Sequence, residues 1–582
     1  HAGEILDKLP NHNNTALVLA DETLLPITLN SLPKKVDAIN ITMGYPLKDI
    51  PTTSLFFSIF QLFITQEKLQ KKEANLFYYK EVIRLVKHPI IYKLLVTEAT
   101  SISEEIVFKI VQENNTFVSL KDIETFVSKM NGSIKSVVLS IFNPFISISE
   151  FFTRILNLIN LLKEDLNELE KEYLFRFYTI FKQLQTLHAE FAYFQDLKTL
   201  HLFFKQLIAL ESLSFQGEPL QGLQLMGMLE TRVLDFENVL ITSVNEGVLP
   251  GNSQQNSFIP FDVKVAFGLP TYREKDAIYS YHFFRLIQRA TNVFIIYNTE
   301  HDSFGSGEKS RFITQLEIIR NDISEKIISP KVVTEKPVFK EILKNDEVLE
   351  KLKELAIKGI SPSAFTSYLY NPIKFYKQKI LKIKEFKGVE ETVAVNTLGT
   401  VVHEVLDELY TPFTGRFLQL KDVEEMQNKS KDLVVKHFKK EFKNGDVSTG
   451  KNRLIFEVAN RFVHNFLVQE KTLLKDENNQ LKIISCEETL SAEIKVEGIE
   501  FPIKIHGQVD RVDELNGTTR IVDYKTGMVK ATNLKLPDFE NIRDLKHHKA
   551  IQVLLYAFLY TKSKDYNFEK PIEAGIFSFK NL

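Results

Sequence analysis

The sequence has one cysteine, Cys486, and no tryptophan in 582 residues. A single thiol excludes an intramolecular disulfide framework and any four-cysteine zinc or iron–sulfur site, and it fits a reducing, cytoplasmic compartment. Net charge is also nearly absent. A formal value of −2 gives no overall pull on a polyanion, so any nucleic-acid contact must use local basic patches. Long apolar runs are missing as well. Even 141–162 is broken by Asn143, Ser147, Glu150, Arg154 and Asn157, so no membrane partner is expected. The start, His1-Ala2-Gly3-Glu4, carries no secretory pattern, and both ends read as cut. The lack of tryptophan, beside many Phe, Ile, Lys and Asn residues, reads as compositional bias without functional content. What remains, 44% hydrophobic and 25% charged residues, is ordinary for a globular chain, and its length predicts two to four domains.

A phosphate-binding loop is lacking too. The nearest match to G-x-x-x-x-G-K-[ST] runs from Gly445 to Asn452, where Asn452 replaces the magnesium-binding hydroxyl. The preceding 431–442 reads as a basic helix where a strand is required. Gly305-Ser306-Gly307-Glu308-Lys309-Ser310 lacks the spacing altogether. No ATP site is expected in this chain.

What is present is a hairpin. Two alternating runs, 503–514 and 518–525, flank Leu515-Asn516-Gly517, and Asn-Gly between such runs marks a two-residue turn. Counting back from that turn sets Asp513 against Arg520 and Asp510 against Asp523. Side chains alternate along a strand, so Gln508, Asp510 and Val512 share a face with Ile521, Asp523 and Lys525. Opposed like charges are unfavourable, which implies a compensating cation. Carboxylate oxygens favour Mg²⁺ or Mn²⁺. Arg511 and Asp513 fall on the other face, with Asp513 and Arg520 expected as a structural ion pair.

Gly507-Gln508-Val509-Asp510-Arg511-Val512-Asp513 and Asp523-Tyr524-Lys525-Thr526-Gly527 resemble the G-x-x-D-R-x-D and D-Y-K-T-G motifs of PD-(D/E)XK nucleases, in their RecB/AddB-like branch. The branch's upstream helical histidine has a counterpart in His403. Its downstream Q-x-x-x-Y corresponds to Gln552 and Tyr556. The resemblance implies a metal held by His403, Asp510, Asp523 and the carbonyl of Tyr524, and a Lys525 that orients the attacking water. Gln552 and Tyr556, one turn apart on a helix, would position the lysine, the water or the DNA strand. Related iron–sulfur nucleases carry a cysteine immediately before Pro372. Here it is Asn371, so no cluster is expected. Lys374, Lys377, Lys379, Lys382, Lys384 and Lys387 either track a phosphate backbone or form a solvated face.

The rest of the chain predicts a multidomain α/β protein. Residues 15–41 alternate strand, helix and strand, 69–213 show helical spacing, and strand-like runs return at 239–244 and 293–297. Phe175, Phe177, Tyr178 and Phe181 in the helical part read as core. Leu225 to Gly247, and Tyr281 through Arg289, resemble motifs V and VI of UvrD/Rep-type superfamily 1 helicases. With no nucleotide to act on, Arg289 reads as a helix-end salt bridge. The expected domains are a RecA-like helicase 2A-type domain (1–68 and 214–328), a helical 2B-type insertion (69–213), a charged connector (329–356) and a PD-(D/E)XK domain with a mixed sheet (357–582).

This pattern implies a metal-dependent deoxyribonuclease acting on single-stranded DNA or duplex ends, similar to the AddB subunit of helicase–nucleases and paired with an AddA-like helicase subunit. Two other readings stay open. One is a non-catalytic scaffold that binds DNA or a motor subunit. The other is a complete helicase whose phosphate-binding loop precedes His1.

Overall fold

The computed structural model describes residues 1–582 except 70–74, 97–100, 129, 131, 164–165, 216–220, 252–257, 301–306, 330–340, 386–387, 537–546, 563–565 and 567–568. Lys387, Gly305 and Ser306, and part of the expected connector, lie outside the described residues. The chain forms two compact units, 1–64 with 136–334 and 65–135 with 335–582.

In the first unit five parallel strands lie in the order Ile39–Ile41, Leu223–Gly227, Thr15–Leu19, Asn238–Thr242, Asn292–Ile295. The apolar runs follow from burial on both faces. Ala16 and Val18 pack into one core, Leu17 and Leu19 into another. A helical part of this unit closes on the packed rings of Phe56, Phe60, Phe177, Phe181 and Phe204. Of the aromatic stripe expected as core, Phe177 and Phe181 are buried whereas Phe175 faces outward. Arg289 ends its helix in an ion pair with Asp235 at 2.8 Å.

The second unit holds a four-stranded mixed sheet, β1 (Leu481–Ile494), β2 (Ile503–Leu515), β3 (Thr518–Lys525) and β4 (Ile572–Ser578), in that order. The first three strands are antiparallel neighbours and β4 runs parallel to β3. Asn516 and Gly517 both take positive φ, 51° and 85°, the geometry of a type I′ turn, for which glycine is suited at the second position. Helices α1 (Val395–Tyr410), α2 (Leu420–Glu441) and α3 (Gly450–Leu474) supply most of one core, with Val401, Val402, Val405, Leu406, Val463 and Phe466 all buried. Helix α4 (His548–Thr561) packs Tyr556, Leu559 and Tyr560 on the other side of the sheet, against Val509, Val512 and Ile521.

Two segments differ from expectation. The connector carries a helix, Asp346–Lys358, begun by an Asn345 cap and an acidic first turn. Its Leu352 and Leu355 pack on Ala364, Phe375 and Ile380. The span 69–213 divides between the two units, and its 65–135 part also contains a short ribbon pairing Leu76–Tyr78 with Phe117–Ser119. Asn452 is held by backbone atoms. Its amide nitrogen donates to the carbonyls of Glu391 and Asp446, and its oxygen accepts from the amide of Val393. Ser361 caps Pro362–Tyr370, and Asn371 caps the turn that follows. Among the described residues no helix is long and apolar enough to cross a membrane.

Candidate active site and metal centre

The site follows from register. The paired register of the hairpin ends at Arg511↔Val522, and just beyond it Asp510 and Asp523 are electrostatic neighbours. On the other edge, Cys486↔Arg511 and Glu488↔Val509 set Glu487 beside Asp510. Three carboxylates therefore lie in one row across β1, β2 and β3. Such a row is electrostatically unfavourable without a counter-charge.

Each member has its own partner. His403 Nδ1, projecting from α1, lies 3.3 Å from Asp510 Oδ1. The backbone N–H of Tyr524 donates to Asp510 Oδ2 at 2.5 Å. Gln508 Nε2 donates to Glu487 Oε2 at 2.8 Å. Asp523, buried at 3% exposure, meets Lys525 Nζ at 2.7 Å through Oδ2 and accepts from Gln552 Nε2 at 3.2 Å through Oδ1. Gln552 Nε2 also donates to the Tyr556 hydroxyl at 2.9 Å. Every side chain singled out for the site from the sequence is thus within this one cluster.

The groups that converge as candidate metal ligands are His403, Glu487 and Asp510, each offering one atom within 4.8 Å of the others. This set shares His403 and Asp510 with the expected one, while Asp523 turns to Lys525 and Gln552. Glu487 is the member that sequence reasoning missed. It sits in β1 just beyond a bulge between Ile483 and Ser485, with φ at +47°. That left-handed conformation costs a non-glycine residue about 1–2 kcal/mol, a strain held where a side chain is re-aimed. The only sequence signal was an acidic pair, Glu487-Glu488, inside an otherwise β-forming run.

Electrostatics set the protonation of this row. Burial, reinforced by Asp510, pushes the Glu487 carboxyl up to about 7. Burial also raises Asp523, to about 6, with Lys525 opposing and Asp510 adding to the rise. Burial works against the charged form of His403, but the hydrogen bond and charge of Asp510 outweigh it and raise its value. Burial lifts the Cys486 thiol to about 12, so it is no nucleophile at neutral pH. An imidazole nitrogen among crowded, half-desolvated carboxylates is a donor set that a divalent cation fits.

The opposite face of β2 is structural. Arg511, fully buried, pairs with Glu470 Oε1 at 2.9 Å and Asp513 Oδ2 at 2.6 Å. Asp513 also takes Arg520 at 2.6 Å, the cross-strand pair expected from the turn. The Tyr410 hydroxyl donates to Glu470, tying α1 to α3.

Gly507 has a specific task. A Cβ there would lie 2.7 Å from the Tyr556 ring, so only glycine lets α4 approach β2 this closely. Gly507→Ala is expected to displace Tyr556 and, through it, Gln552 and Asp523. Turnover should fall by about tenfold or more, while circular dichroism stays native. Unchanged turnover would separate Tyr556 from the site.

Residues 359–581 match the PD-(D/E)XK nuclease superfamily. No curated protein matches the chain.

Proposed function

We propose, on the premise that the chain carries a PD-(D/E)XK nuclease superfamily domain at residues 359–581, that it is a Mg²⁺- or Mn²⁺-dependent deoxyribonuclease hydrolysing phosphodiesters in single strands or at duplex ends. The observation that carries this reading is the row of Glu487, Asp510 and Asp523 with His403 at one side and Lys525 at the other.

His403, Asp510 and Glu487 would hold the cation, with Asp523 and the Tyr524 carbonyl as the neighbouring donors. When bound, a divalent ion neutralises phosphate charge and lowers the pKa of its water. Lys525 Nζ, fixed by Asp523, offers a hydrogen bond to the attacking water or a phosphate oxygen. Gln552 clamps Asp523 from the helix side, and Tyr556 clamps Gln552. These contacts hold the lysine and carboxylates in one geometry, so that the charged groups face the reacting phosphate without reorganisation.

We further propose an AddB-like role in double-strand break processing and recombination in the cytoplasm, with an AddA-like subunit supplying translocation. In this reading the first unit is a helicase-derived DNA-handling module without its own ATP site. The five-stranded parallel sheet, covered on both faces, supports that reading.

Labelled single- and double-stranded DNA incubated with Mg²⁺, Mn²⁺ or EDTA tests the nuclease. Cleavage is expected only with metal. Equal degradation in EDTA would reject it, and metal-dependent DNA binding without cleavage would favour the scaffold reading. The pKa shifts add a pH signature. Glu487 and Asp523 are raised in the folded chain, so between about pH 4 and 7 the native state holds protons that the unfolded chain has released. The metal-free protein therefore loses stability as pH rises through that window. Cation binding must displace those protons, so Mn²⁺ affinity is expected to climb about tenfold per pH unit for each proton released, levelling above pH 7. Calorimetry in two buffers of different ionisation enthalpy reads the proton count. No proton release at pH 6 would place the cation elsewhere.

A further inference from the structure

We infer that residues 65–135 are a brace for the helix that carries His403, and that Asn114 is the positioning residue that couples them. The inference rests on the nuclease reading for its catalytic consequence.

The coupling is a continuous chain of contacts within the second unit. Asn114 follows the helix Ile102–Gln112, with φ at 52° and its side chain buried. Its amide is fully used. Oδ1 accepts from the backbone N–H of Glu390 at 2.7 Å, and Nδ2 donates to the carbonyls of Glu390 at 3.3 Å and Phe442 at 3.0 Å. Phe442 is the residue that ends α2, so one side chain ties the loop entering α1 to the end of α2. The Tyr79 hydroxyl and Lys80 Nζ grip the neighbouring Glu391 at 2.8 and 2.7 Å.

Glu390 passes this grip to α1. Its carboxylate accepts from the backbone N–H of Ala394 and, at 2.9 Å, from the Thr397 hydroxyl. Ala394 stands at the N-cap with no side chain able to cap, so Glu390 supplies both the acceptor and the negative charge that a helix start favours. His403 lies about two turns further along the same helix. The later part of α1 is anchored by Val401, Val402, Val405 and Leu406 in the core. Loss of the Asn114 contacts therefore leaves the fold standing but loosens the Glu390 cap and the first turn of α1, letting the helix shift along its axis and carry His403 Nδ1 with it.

The test uses the full chain with Asn114→Ala, Asn114→Asp and Tyr79→Phe. Asn114→Asp keeps the acceptor for Glu390 N–H and loses both donors. Three readouts are compared: hydrogen exchange in 395–403, Mn²⁺ affinity, and kcat against KM on labelled DNA. Asn114→Ala is expected to speed exchange in 395–403 selectively, and to weaken Mn²⁺ binding and lower kcat by about tenfold each, with KM for DNA unchanged. Asn114→Asp, which sets a buried carboxylate oxygen against the two carbonyls, should be at least as severe as Asn114→Ala, and Tyr79→Phe should be milder than either. Wild-type values in all three readouts would overturn the inference, as would a uniform rise in exchange across the unit. A wild-type protein that neither binds Mn²⁺ nor cleaves DNA would defeat the nuclease reading, while exchange in 395–403 still decides the brace.

Discussion

Asp523→Asn is expected to lower kcat for DNA cleavage by about 10³-fold while leaving the metal-free protein at least as stable as the wild type. The reason is the environment of this one carboxyl. It is almost wholly buried, flanked in its row by Asp510, and raised to about 6. Ionising it at neutral pH works against folding. An amide of the same shape has one oxygen where the carboxylate has two, so it can accept from Gln552 or from Lys525 but not from both, and it no longer pins the ammonium by charge. The stability advantage of the variant should be largest above pH 6 and vanish below about pH 4, where the wild-type carboxyl is protonated both folded and unfolded. Thermal melts at pH 8 and pH 4 with EDTA read the stability, and single-turnover cleavage reads the chemistry. Equal cleavage by variant and wild type would remove Asp523 from the reaction.

Arg511→Ala is the substitution expected to damage the fold most. The guanidinium is fully buried between Glu470 and Asp513, and it lies over the rings of Tyr410 and Phe466 at 4.9 and 5.5 Å. Its Nε and Nη1 find no hydrogen-bond acceptor, so aromatic faces supply much of its solvation. Truncation leaves Glu470 desolvated and without a cation, whereas Asp513 keeps Arg520. Breaking such a pair costs about 3–5 kcal/mol. Hydrogen exchange along Ile503–Leu515 should report that loss directly. The double substitution Arg511→Met with Glu470→Gln should recover most of it, because both buried charges are then gone. A double variant no better than Arg511→Ala would show that the arginine acts through shape alone.

Local signals made the hairpin legible. Asn516-Gly517 fixed the turn, the turn fixed the register, and the register fixed Asp510 beside Asp523 and Asp513 beside Arg520. His403, Gln552 and Tyr556 were reached by resemblance and fall in the same cluster. What escaped was set by contacts distant in sequence. Glu487 enters the row only through pairing of β1 with β2 and a bulge that no short motif announces. Glu470 is one acid among many on an amphipathic helix until its meeting with Arg511 and Tyr410 is known. The span 69–213 reads as uniformly helical, and helical spacing reveals which face is buried but not which partner buries it. That 65–135 clusters with 335–582 is decided by side chains such as Asn114 and Tyr79 meeting residues hundreds of positions later.

This division bears on modularity. A fragment beginning at 335 would omit 65–135, exposing the backbone of Glu390 and the carbonyl of Phe442 where Asn114 now satisfies them. The second unit is therefore not released intact by a single cut at 335, because part of its packing comes from a stretch encoded far upstream.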